Sequence, residues 1–188
     1  TFTFNANGGS TPSSSSITKA YNEAIGTLPT CSRAADNTYT YAFAGWFDTA
    51  AATGGTKLTT TTKVTSNKTW YARWTATYKN YTVTWNGNGG TPSKSSSSFH
   101  YNDALGTLPT ATRTGYTSAS GSVNVSTTTK VTGNVTYYAV WQINSYTLTV
   151  TAGAGGTVSG SGTYNYGVTA TLKATPSAGY HFVKWSDG

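Results

Sequence analysis

Charge is what this chain has least of. Asp, Glu, Lys and Arg make up 9% of its 188 residues, against roughly 25% in an average globular protein. Only five are acidic: Glu23, Asp36, Asp48, Asp103 and Asp187. Glycoside hydrolysis needs two carboxylates about 5–10 Å apart in one site, and no segment offers an obvious pair. His100 and His181 stand alone, outside metal-ligand spacing with another His or Cys, and each reads as a surface strand position. Cys31 is the only cysteine. That excludes an intrachain disulfide and leaves a small buried hydrophobe or a loop thiol. The serines are not accompanied by a nucleophile elbow. Gly153–Gly162 lacks the Lys and the helix of a phosphate loop. No catalytic residue, metal ligand or cofactor-binding residue is expected. Methionine is absent and no apolar run is long enough to span a membrane, so any targeting or anchoring segment is expected outside this stretch.

What is present is Thr, Ser, Gly, Tyr and Asn. Aromatic residues reach 14%, enough apolar bulk to exclude a disordered tract. Thr, Tyr, Val and Trp suit pleated, half-buried strands, and Gly and Asn suit the turns between them. Twelve Lys and Arg against five acids give a net charge of +7. The basic residues are scattered, so no nucleic-acid arm is formed and no specific nucleic-acid contact is expected. A weak, salt-sensitive attraction to anionic polymers is the most that this charge implies.

Internal repetition organises the chain. Thr1-Phe-Thr-Phe-Asn-Ala-Asn-Gly-Gly9 returns as Thr82-Val-Thr-Trp-Asn-Gly-Asn-Gly-Gly90, and more loosely as Thr147-Leu-Thr-Val-Thr-Ala-Gly-Ala-Gly-Gly156. Tyr21-Asn-Glu-Ala-Ile-Gly-Thr-Leu-Pro-Thr30 returns as Tyr101-Asn-Asp-Ala-Leu-Gly-Thr-Leu-Pro-Thr110. Thr69-Trp-Tyr-Ala-Arg-Trp74 returns as Thr136-Tyr-Tyr-Ala-Val-Trp141. These matches divide the chain into module 1 (1–74), a linker (75–80), module 2 (81–141, shortened), a linker (142–145) and module 3 (146–188, incomplete). Module 3 has no counterpart of the closing aromatic strand, so it is not expected to fold alone. The linkers hold no Gly or Pro and favour a semi-rigid string, so three modules in line are expected to make an elongated rod.

Period-2 alternation marks the opening strands. Phe2 and Phe4, Val83 and Trp85, Leu148 and Val150 face one way, with Thr between them. The closing strands alternate as Trp70, Ala72, Trp74 and as Tyr137, Ala139, Trp141. Asn7-Gly8-Gly9 and Asn88-Gly89-Gly90 are turn signals that tolerate positive φ. Tyr-Asn-Glu/Asp-Ala-Ile/Leu-Gly reads as one short helical turn, capped by Asn22 or Asn102 and stopped by Gly26 or Gly106. Pro29 and Pro109 then forbid continuation. Glu23 and Asp103 would sit favourably at that helix N-terminus. Leu28-Pro-Thr-Cys31 and Leu108-Pro-Thr-Ala111 lack Leu-Pro-x-Thr-Gly spacing and read as turn chemistry.

In order and spacing these segments resemble the internalin-B B-repeat family, the Listeria–Bacteroides repeat. The resemblance is carried by the opening Thr-x-Thr-Phe-Asn-x-Asn-Gly-Gly, the middle Gly-Thr-Leu-Pro-Thr, Phe43-Ala-Gly-Trp-Phe47 and Tyr71-Ala-Arg-Trp74. Tyr146–Gly188 resembles the divergent branch of the family, through Gly155-Gly-Thr-Val158, Tyr164-Asn-Tyr-Gly167 and Ala178-Gly-Tyr-His-Phe-Val-Lys-Trp-Ser-Asp-Gly188. It implies a mainly β fold of tandem, small β-grasp-like modules, each with a few strands and one short helix or helical turn. It also implies an extracellular place, on the surface of bacteria or secreted from them, and supplies no catalytic residue. Module 1 departs from the pattern with extra residues around Ser32–Thr40. Module 2 departs by replacing Phe-Ala-Gly-Trp with Ser118-Ala-Ser-Gly-Ser-Val-Asn-Val125.

Non-catalytic spacer units of an adhesin-like protein are the first expectation. A module that binds glycans or host-surface proteins is the alternative, and Tyr71, Arg73 and Tyr138, on the outward side of the closing strands with Val140, are its candidate contacts. Cross-strand pairing on the outer face is the plainer reading of those residues. A fibre of copies joined by strand exchange is a third expectation. Asn67, Asn80, Asn124 and Asn134 begin Asn-x-Ser/Thr sequences, which arise readily by chance in a Thr-rich chain.

Overall fold

A computed structural model describes residues 1–118 and 125–186. The substituted Ser118–Val125 segment of module 2 lies largely outside the described residues, as do Asn124 and Asp187. The chain divides into two compact units. One holds Thr1–Tyr81, Ser98–Asp103 and Lys130–Gly133, and the other holds Thr82–Ser97, Ala104–Thr129 and Asn134–Gly188.

Module 1 contains β1 (Phe2–Asn5), β2 (Ser16–Ile17), β3 (Tyr39–Phe47) and β4 (Lys68–Tyr78) in an open sheet of order β2-β1-β4-β3. The opening strand lies parallel to the closing one, with Phe4 opposite Trp70. β4 is also antiparallel to β3, from Tyr39 opposite Tyr78 to Phe47 opposite Tyr71, and the register slips by one residue between Phe43 and Gly45. The alternation read from the sequence is the burial found: Phe2, Phe4, Trp70 and Ala72 are buried, with Thr3 exposed between the two Phe residues. They join Ile25, Trp46, Leu58 and Val64 in one core. Trp46 is fully buried, and its indole N–H donates to the Pro29 carbonyl at 2.8 Å, which satisfies the one polar atom it takes inside. Residues 75–78 continue β4.

The sequence between residues 80 and 143 forms β5 (Asn80–Asn86), β6 (Thr91–Pro92), β7 (Ser96–His100), β8 (Ala111–Thr112), β9 (Tyr116–Ser118), β10 (Val135–Tyr138) and β11 (Trp141–Ile143). β5 and β10 repeat the parallel pairing of opening and closing strands, with Val83 opposite Val135 and Trp85 opposite Tyr137. β7 flanks β5 in the same sheet, and β6–β8 and β9–β11 are two-stranded pairs. The last segment holds β12 (Ser145–Leu148), β13 (Gly156–Ser159), β14 (Gly162–Asn165) and β15 (Lys173–Pro176), paired only as β12–β14 and β13–β15, both antiparallel.

The expected helical turn does not form, and no helix occurs among the described residues. Asn22 and Asn102 have φ of 66° and 65°, which a right-handed helix forbids. They are the positive-φ corners of tight turns, closed by Glu23 N–H donating to the Ala20 carbonyl and by Asp103 N–H donating to the His100 carbonyl. The backbone then bonds to a distant segment. Ile25 and Gly26 donate to Thr62 and Thr60, and Leu105 and Gly106 donate to Thr129 and Thr127. Partners so remote in sequence outcompete the local i→i−4 bonds of a helix. Gly26 and Gly106 do take positive φ, 78° and 64°. The acids therefore serve a turn, not a helix N-terminus: Glu23 accepts from Ala20 N–H at 3.0 Å and Asp103 from His100 N–H at 2.7 Å.

Candidate functional site

The Asn-Gly-Gly turns organise the most distinctive surface of modules 1 and 2. Asn7 and Gly8 have φ of 47° and 87°, and Asn88 and Gly89 have 46° and 87°. Gly9 N–H donates to Ala6 and Gly90 N–H to Gly87, so both are turns with two left-handed residues, the geometry that Asn-Gly favours. The Asn side chains brace them, Asn7 Nδ2 to Ala72 O at 2.9 Å and Asn88 Nδ2 to Ala139 O at 3.0 Å. The final Trp of each closing motif locks the turn from the other side. Trp74 donates to Ala6 O at 3.2 Å and Trp141 to Gly87 O at 2.9 Å. A Cβ on Gly9 would lie 2.3 Å from the Trp74 ring, and one on Gly90 would lie 2.5 Å from Trp141. The second glycine is there because the indole lies against its backbone.

An arginine crosses each turn. A Cβ on Gly8 would sit 3.5 Å from Arg33 Nη1, and one on Gly89 would sit 3.2 Å from Arg113 Cζ. Each guanidinium is stacked on a tyrosine ring, Arg33 on Tyr41 at 3.8 Å and Arg113 on Tyr116 at 3.9 Å. The two arginines are equivalent in the repeat, three residues after Thr30 and Thr110. Their tyrosines stand at unequal distances along the chain, so the pair carries no linear motif and sequence reading missed it.

The two stacks differ in charge. In module 1 Asp36 closes the group: its carboxylate accepts from Tyr41 OH at 2.6 Å and from the Thr38 and Tyr39 N–H groups at 2.8 and 2.7 Å. The tyrosine hydroxyl, then those two amides, and more weakly the charge of Arg33 hold this carboxyl below the ordinary range. In module 2 only Thr114 and Gly115 separate Arg113 from Tyr116, so no acid stands in that segment; among the described residues neither Arg33 nor Arg113 forms an ion pair. Arg113, Tyr116 and Trp141 line a cleft of about 510 Å³.

The outward residues of the closing strands fare differently. Tyr71 is half-buried, opposite Asn5 and Phe47. Arg73 lies 3.5 Å over the Phe47 ring and donates to the Ala51 and Gly54 carbonyls at 3.2 and 2.5 Å. Its charge is committed to the 48–55 loop. Tyr138 is 63% exposed and Val140 46%. His100 lies 3.6 Å from Asp103. Cys31 packs half-buried against the module 1 core, and its thiol donates to Ser10 O at 3.0 Å. Among the described residues no three His, Cys, Asp or Glu side chains gather as a metal site.

Two family models match the chain. The Listeria-Bacteroides repeat domain (List_Bact_rpt) matches residues 1–73 and 81–140, and the Divergent InlB B-repeat domain matches 146–188. Both are repeat families typical of bacterial surface proteins and generally non-catalytic. No curated protein and no solved structure matches the chain. Among the described residues no helix is long and apolar enough to cross a membrane. With more than half of its residues matched, and matched over the segments whose turns and strand pairings recur, the chain belongs to the Listeria-Bacteroides repeat family, and its last segment matches the divergent InlB B-repeat.

Proposed function

We propose that these residues are non-catalytic spacer units of a bacterial cell-surface or secreted adhesin-like protein, strung as β-grasp-like modules into a rod. The observation that carries this reading is what the repeats keep. The parallel pairing of opening and closing strands, the Asn-Gly-Gly turn and the Trp that locks it recur in both List_Bact_rpt segments. The outward chemistry recurs only in part, since Arg73, bound to its own loop, is replaced by Val140, and Asp36 beside the first Arg–Tyr stack has no counterpart beside the second. A scaffold repeated more closely than its surface is what a spacer needs. A compact body of this length would have a radius of gyration of about 16 Å. Small-angle scattering of the whole chain in solution is expected to give a clearly larger value, and a result near 16 Å would sink the spacer reading.

A second reading, an adhesion module for glycans or host proteins contacted through Tyr71, Arg73 and Tyr138, is supported by the exposure of Tyr138. Tyr138→Ser would then abolish binding to a glycan or host-protein array while leaving the melting temperature unchanged.

A further inference from the structure

We propose that the cleft beside the second Asn-Gly-Gly turn binds an acidic glycan, with Arg113 holding a sugar carboxylate and Tyr116 and Trp141 flanking the sugar ring. The proposal concerns this cleft alone and does not rest on the spacer reading. At about 510 Å³ the cleft falls within the roughly 300–1,000 Å³ of small-molecule sites. Tyr116 holds the guanidinium flat at 3.9 Å. A guanidinium has five N–H donors in a fixed fork that matches a carboxylate. Among the described residues Arg113 makes one hydrogen bond, from Nη1 to Asn88 O, at a long 3.4 Å.

Module 1 has a carboxylate next to the equivalent stack. There the same Arg-on-Tyr stack, over the same turn glycine, has the Asp36 carboxylate beside it, bonded to the Tyr41 hydroxyl and acting on Arg33 only through its charge. Module 2 has no acid between Arg113 and Tyr116, so no negative charge from that segment competes with a carboxylate from outside. The rest of the lining favours a sugar over an acidic peptide. Thr91, Thr114 and Ser118 offer hydroxyls beside two aromatic rings, and apart from Ala111 no aliphatic side chain lines the cleft among the described residues. Hydroxyl groups and ring faces suit a pyranose, whereas a peptide side chain would find no apolar pocket. The net charge of +7 raises the local concentration of any polyanion.

The test is a titration of the whole chain, followed by NMR shifts of the Trp141 indole N–H and the Gly89 and Gly90 amides. The probes are an oligogalacturonate, the neutral oligogalactose of equal length and a poly-glutamate peptide. Each is titrated at physiological salt and at about 1 M salt, where screening acts within roughly 3 Å. The expected result is that the oligogalacturonate shifts these signals at both salt concentrations and the other two do not. Arg113→Gln is expected to weaken binding at least about tenfold, and Arg33→Gln to leave it unchanged. Because the shifts in the unaltered chain localise the site, a variant that fails to fold does not spare the proposal. Equal binding of the neutral sugar, equal binding of the peptide, loss of all binding at high salt, or equal weakening by the two Arg variants would each overturn it.

Discussion

Modules 1 and 3 open with the same alternating strand and differ in what that strand meets. In module 1, β1 has β2 on one side and β4 on the other, and Phe2 and Phe4 are 3% and 4% exposed. In module 3, β12 pairs with β14 alone among the described residues. Leu148 stays half-buried, while Tyr180, Phe182 and Trp185 are exposed. The sequence pattern of an apolar face is thus not yet a core. Alternation decides which side chains share a face, but burial also requires the parallel closing strand, which brings Trp70 and Ala72 alongside β1.

The sharpest way to break this comparison is to remove the centre of the core that module 1 has. Trp46→Ala deletes a fully buried indole and is expected to cost about 3–5 kcal/mol. Hydrogen exchange should show it as lost protection at Phe4 and Ile25, whose amides bond to Ser15 and Thr62. Exchange in β13 and β15 should not change. If Val158 and Ala174 were already as protected as Phe4 in the unaltered chain, the contrast between the modules would be wrong.

A smaller effect is expected from glycine. Gly9→Ala places a methyl group 2.3 Å from the Trp74 ring and 2.7 Å from the Ser32 carbonyl, and overpacking of this kind costs about 1–3 kcal/mol. Gly153 in module 3 has nothing within 4 Å of its Cβ position and no positive φ. Gly153→Ala is therefore expected to be neutral, or stabilising by up to about 1 kcal/mol. Denaturant midpoints of the two variants measure the difference.

Acid separates the modules further. The Glu23 carboxyl is lowered by its bond with Lys19 and the Ala20 amide, Asp36 by Tyr41 and two amides, and Asp48 by the Thr56 amide and Lys68. Lowered in the folded state, these groups stabilise module 1 above the ordinary values of 4.5 and 3.8. That stability is lost as the pH falls through those values towards the lower folded ones. Glu23 and Asp36 are solvent-exposed and Asp48 is half-buried, so the loss is small. Residues 146–186 contain no Asp or Glu and should show no such loss. Exchange protection followed from pH 7 to acid should fall in β1–β4 below the ordinary carboxylate range, and Asp36→Asn should flatten part of that fall.

Strand faces and glycine turns were legible in the sequence because their rules are local. Phe2, Phe4, Trp70 and Ala72 follow period 2, and Asn7-Gly8 carries its own positive φ. The Tyr21–Gly26 turn was misread because a cap residue, an acid and a terminal glycine describe a helix end and a tight turn equally well. The choice is made by Thr60 and Thr62, some 35 residues away, which supply the carbonyls. The Arg–Tyr stacks were illegible for a similar reason. Tyr41 and Tyr116 reach their arginines through loops of different length, so only the folded chain brings each pair together.

The smallest expected effect tests the exposed side of the comparison. Trp185 is 40% exposed and its ring neighbour is Phe182 at 5.1 Å. A substitution on such a surface changes stability by about 0.5 kcal/mol or less, so Trp185→Ala should leave the denaturation midpoint almost unmoved. Burying the same indole under a strand, as β4 buries Trp70, would raise the cost to the range of a core aromatic. The variant therefore reports on whether anything covers this face in solution. Strand exchange between copies would provide such a cover, and it would make the cost depend on protein concentration. A concentration-independent change near zero agrees with an open face on module 3. A cost of about 3 kcal/mol that grows with concentration would show that copies of the chain complete each other's third module.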